Sequence, residues 1–62
     1  MYEAVNHKHN RRAVVDDSPT DRFKYRLVMY QGDLSVAVKF GNNKHDLEWV
    51  ADKFIREGKW HD

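Results

Sequence analysis

The chain has no cysteine, one proline and three glycines in 62 residues. Without cysteine no disulfide can staple the fold and no thiolate can build a zinc site, so an oxidising compartment is not required. The glycines stand alone at positions 32, 41 and 58, which excludes a Gly-rich phosphate loop. No apolar run approaches the roughly 20 residues needed to span a bilayer. The opening stretch MYEAVNHKHNRR is too polar for a signal peptide. These absences predict a soluble, cytoplasmic protein with no membrane partner. The start at Met1 without an evident tag reads as a complete gene product.

Catalytic groups are also scarce. Ser18, Thr20 and Ser35 are the only hydroxyls outside tyrosine, and none lies in a nucleophile motif. Asp16, Asp17 and Asp21 lack the spacing of a Ca²⁺ loop and suit a turn. His7 and His9 point the same way along an extended chain, but two ligands are not a metal site, and His45 or His61 would have to join them. The expectation is a protein that is not an enzyme and has neither cofactor nor metal.

The chain is long enough for one domain and too short for a second core. Its net charge is +1, which by itself selects no partner. The distribution says more. Lys8, Arg11 and Arg12 lie near the N-terminus, and Arg22, Lys24, Arg26 and Lys39 lie between positions 22 and 40. Residues 1–11 read as a flexible or partly ordered basic arm, with a short strand over Tyr2-Glu3-Ala4-Val5 as the other option, and residues 12–62 as a single domain.

Secondary structure follows from the periodicities. Residues 12–16, 23–31 and 34–40 alternate or carry β-branched residues as strands do, and DDSPTD reads as a turn around Pro19. A two-residue loop of Gly32-Asp33, with glycine first, suits a type II′ hairpin turn. Residues 44–57 carry an apolar stripe of Leu47, Val50, Ala51, Phe54 and Ile55, with Asn42 or Asn43 as N-cap and Gly58 as the stop. The predicted fold class is therefore α+β: an antiparallel sheet of two or three strands with a C-terminal helix packed on one face.

The turn predicts a register. If Gln31 pairs with Leu34 and the ladder stays regular, Met29 faces Val36, Leu27 faces Val38 and Tyr25 faces Phe40. All these side chains would lie under the helix, together with Phe23 and Leu34. The same register sets Arg26 directly opposite Lys39 on the open face, with Lys24 diagonal to it. Opposed like charges destabilise a strand pair, which raises the question of what they serve.

One answer is that lysine and arginine simply keep an open sheet face polar and block edge aggregation. Two functions are the other answers. The first is a small regulatory protein that binds nucleic acid: Lys24, Arg26 and Lys39 contact phosphates, Tyr30 stacks on a base, and Lys8, Arg11 and Arg12 add charge from the arm. The alternative is a protein-binding module or inhibitor, of the kind a phage or mobile element uses against a host protein. It would use Val28 and Tyr30, the exposed edge strand and a helix surface of Trp49, Lys53 and Arg56. A homodimer, through the edge strand or the open face, is a further expectation. In plan, residues 12–57 resemble small sheet-plus-helix domains that read DNA with an open sheet face, such as certain plant DNA-binding domains and the arm-binding domains of some integrases. That resemblance is architectural and brings no site residues with it. Small phage-encoded inhibitors are comparably compact.

Overall fold

A computed structural model describes residues 1–60. Four strands, β1 (Tyr2–Asn6), β2 (Arg11–Asp17), β3 (Tyr25–Gln31) and β4 (Leu34–Gly41), precede one helix, α1 (Lys44–Glu57). The strands form an antiparallel meander in the order β1-β2-β3-β4, and α1 lies across one face in contact with all four. The α+β class agrees with the sequence reading, but two or three strands understated the sheet. No helix among the described residues is long and apolar enough to cross a membrane.

The additional strand is β1, which comes from the segment read as an arm. It pairs Ala4 with Ala13, and these two small side chains let the helix approach closely at Ala51. Contacts far away in sequence hold it. The Tyr2 hydroxyl donates to Asp52 Oδ1, and Asn6 Nδ2 donates to the Ile55 carbonyl at 2.6 Å. The carboxylate contact, with partial burial, raises the Tyr2 pKa from 10.0 to about 12.

The local signals of the helix are all used. Asn43 is the N-cap, and its Oδ1 accepts from the His45 amide at 3.0 Å. Gly58 takes the left-handed conformation at φ 77°, and its N–H donates to the Phe54 carbonyl at 2.7 Å. Trp60 folds back edge-on against Phe54, with ring centroids 5.8 Å apart. Gly32 has φ 62° while Asp33 stays at negative φ, as a type II′ turn requires.

The hairpin register departs from the expected one. Gln31 pairs with Leu34 and Tyr30 with Ser35, but Met29 then pairs with Ala37. Val36 is an extra residue, a β-bulge, and from there on β4 is shifted by one position. Leu27 therefore faces Lys39, Val28 faces Val38, Arg26 faces Phe40, and Tyr25 faces Gly41. The expected opposition of Arg26 and Lys39 does not exist. Val36 and Ala37 both pack against the core, so the bulge does not sacrifice burial. The shift also sets Gly41 beneath the first turns of α1, where a Cβ would already touch Leu47 at 3.5 Å. Only Asn42 and Asn43 connect β4 to α1. Under so short a link, a phenylalanine at this inward position would push the helix off the sheet.

The core is consequently smaller than the alternation implied. Ala13, Val15, Leu27 and Met29 from the sheet meet Leu47, Val50, Ala51 and Phe54 from the helix. Tyr25 and Ile55 pack at its margin. Leu34, Val38, Phe40 and Phe23, all expected inside, are exposed by 68%, 51%, 39% and 36%.

Candidate functional site

The helix covers one face of the sheet and leaves the other open. Alternation along each strand determines which side chains stand on that face. The pairings arrange them in three rows running across the sheet. The middle row is Glu3, Val14, Val28 and Val38. Toward one end lie Val5, Arg12, Tyr30 and Ser35. Toward the other lie Asp16, Arg26 and Phe40, and Phe23 stacks on Phe40 with centroids 6.0 Å apart. The centre is aliphatic and the charges lie around it.

Those charges are of both signs. Arg12 pairs with Glu3 at 3.5 Å, and its guanidinium carbon sits 4.5 Å from the Tyr30 ring centroid. Arg26 lies between its cross-strand neighbours Asp16 and Phe40. Its Nε is buried and, among the described residues, has no hydrogen-bond partner, and the side chain forms no ion pair with them within 4.0 Å. A buried donor without an acceptor destabilises a single copy of the chain.

The residues expected to bind an anion are dispersed. Arg26, Arg12 and Tyr30 share the open face, whereas Lys39 stands on the helix side beside Asn42, Asn43 and Asp46. Lys24 is exposed just ahead of β3, where its amide donates to Asn42 Oδ1 at 3.0 Å. Lys8 is in the exposed β1–β2 turn. Arg11 also belongs to the helix side. Its guanidinium donates to Gln31 Oε1 and to the Ile55 carbonyl, both at 3.4 Å, so it closes the C-terminal end of α1 against the sheet.

The residues expected to bind a protein are divided as well. Trp49 is 57% exposed on the outer side of α1, with Lys53 Nζ 5.3 Å from its ring centroid. Arg56 lies near them, its Nε donating to the Asp52 carbonyl at 3.3 Å. Val28 is on the far side of the molecule, on the open sheet face. His7 and His9 are exposed in the β1–β2 turn, and His45 is exposed in the first turn of α1. No cluster of three metal-binding side chains occurs among the described residues, and His61 lies outside them.

Sequence reasoning missed Val5, Val14, Asp16, Val38 and Phe40 as members of the open face. The available signal is the run Val36-Ala37-Val38. It contains no polar residue to fix which side faces inward, so a one-residue shift within it leaves no visible mark. No protein-family model, curated protein or solved structure matches the chain.

Proposed function

We propose that the chain is a small, non-enzymatic regulatory binding protein that works through the open face of its sheet, and that this face docks on protein. The observation that carries the reading is the bulge at Val36. It turns Val38 and Phe40 outward and extends Val14 and Val28 into an aliphatic row that reaches the β4 edge. An apolar centre with a mixed-charge rim is the usual anatomy of a protein-binding patch. Exposing such a row costs solubility unless something covers it.

The nucleic-acid reading has less support. A phosphate-binding face gathers surplus cations. Here Arg12 is engaged by Glu3, Arg26 adjoins Asp16, Lys39 is on the other side, and Arg11 is engaged at the helix end.

Two parallel assays separate these readings. One measures binding to random-sequence duplex and single-stranded oligonucleotides at low and high salt. The other compares capture from a nuclease-treated lysate of the native host by the parent chain and by Val28→Lys. The expected result is no salt-dependent oligonucleotide binding, and a captured protein that Val28→Lys loses. Oligonucleotide binding that weakens steeply with salt and is abolished by Arg12→Ala with Arg26→Ala would overturn the reading.

A further inference from the structure

We infer that the open face is covered by a second copy of the chain, packed sheet against sheet. The inference rests on reading that face as a protein-docking surface and names its occupant. The first argument is charge. The face carries two cations, Arg12 and Arg26, and two anions, Glu3 and Asp16. A surface with no net charge selects neither a strongly acidic nor a strongly basic partner, but it can be complementary to itself.

The second argument is register. Across β2 and β3, Val14 is partnered by Val28, Asp16 by Arg26, and Arg12 by Tyr30. A two-fold axis parallel to the strands, midway between β2 and β3 and above the open face, lays β2 of one copy over β3 of the other. Each residue of β2 and β3 then meets its own cross-strand partner from the second copy, while β4 of one copy lies over β1 of the other and sets Val38 against Glu3. Valine meets valine at the centre, Arg26 meets the second copy's Asp16, and Tyr30 meets the second copy's Arg12. Arg26, which has no ion pair among the described residues of one copy, gains a carboxylate from above.

The third argument is shape and size. Two sheets pack face to face with their strands about 30° apart and about 10 Å between layers, and a rotation of that order preserves the central pairings. With strands about 4.8 Å apart and about 3.3 Å per residue, four strands of about six residues present a flat footprint of roughly 400 Å² per copy. Specific interfaces bury about 1,200–2,000 Å² in total. Two such footprints total about 800 Å², below that range, and side chains standing above the sheet enlarge the contact, so the association is weak. The product is a four-layer helix–sheet–sheet–helix dimer.

The test is a charge exchange between chains, read by sedimentation velocity from about 10 μM to about 1 mM. The parent chain dimerises within this range and Val28→Lys does not. Arg26→Asp and Asp16→Arg each place like charges across the two-fold and are monomeric alone. Their equimolar mixture restores both ion pairs between unlike chains and dimerises, a rescue that no effect within one chain can mimic. Circular dichroism establishes that each variant is folded.

Should either variant not fold, a spin label on Ser35→Cys, unique in a cysteine-free chain, replaces it. Mixed with labelled parent chain, it broadens the Val5 methyls and leaves Leu47 unaffected. A parent chain that stays monomeric to about 1 mM overturns the inference, as does a folded mixture that stays monomeric or broadening confined to the helix side. If the parent is monomeric but Val28→Lys still loses a captured host protein, the docking surface stands and only its occupant is wrong.

Discussion

Val38 lies directly across from Val28 on the open face of the sheet, and Lys39, its neighbour in β4, lies across from Leu27 on the helix side. One extra residue, Val36, produces this arrangement. It removes a like-charge pair from the open face and replaces it with aliphatic surface.

Exposure of Val38 leads to a direct stability comparison. Val38→Thr is expected to change unfolding free energy by no more than about 0.5 kcal/mol, as an exposed substitution does. Met29→Ala, fully buried, is expected to cost roughly 2–5 kcal/mol. Urea denaturation of both variants checks this. A regular ladder would bury Val38 and make the two losses comparable.

Gly58 and Arg11 form a second testable pair. Gly58 has φ 77°, and a Cβ there would come within 2.8 Å of Arg11 Nη2. Gly58→Ala is expected to destabilise by about 1 kcal/mol or more, through backbone strain and displacement of the guanidinium. Arg11→Ala alone is expected to cost about 1 kcal/mol through its lost hydrogen bonds to the helix end. Combined, the two losses should be less than additive, because removing Arg11 relieves the clash but leaves the strain. Full additivity in thermal melts would show that the guanidinium does not sit against Gly58.

Tyr2 predicts a dependence on alkaline pH. Its folded pKa of about 12 lies above the ordinary value of 10.0, so the folded state holds the phenolic proton more tightly than the unfolded chain does. The stabilisation is fully present below pH 10 and is lost as pH rises toward 12. Tyr2→Phe should remove this loss in a comparison of stability at several alkaline pH values. The same variant should cost about 1 kcal/mol at neutral pH, for one hydrogen bond. Identical alkaline profiles for parent and variant would contradict the role given to the Tyr2–Asp52 contact.

The legible parts of the fold were those set by neighbours in sequence. Asn43, Gly58 and the stripe from Leu47 to Ile55 define α1 locally, and Gly32-Asp33 defines its turn. What escaped depends on tertiary contact. β1 is five residues long and is secured by Asp52 and Ile55, which lie about fifty positions away. The bulge sets Gly41, and not Phe40, beside Leu47, and no period in β4 reveals it. The candidate site failed for the same reason. Arg26 and Tyr30 belong to β3, whose phase was read correctly. Lys39, Val38 and Phe40 lie beyond the shift, so each was assigned to the wrong face.

The most direct measurement for the central claim is the concentration dependence of the valine methyl signals in solution. Raising the parent chain from about 10 μM to about 1 mM should shift the methyls of Val14 and Val28, both on the open face, while those of Leu47 and Val50 in the core stay fixed. Valine signals that remain unmoved over this range, or shifts confined to the surroundings of Trp49 and Lys53 on the helix, would contradict it.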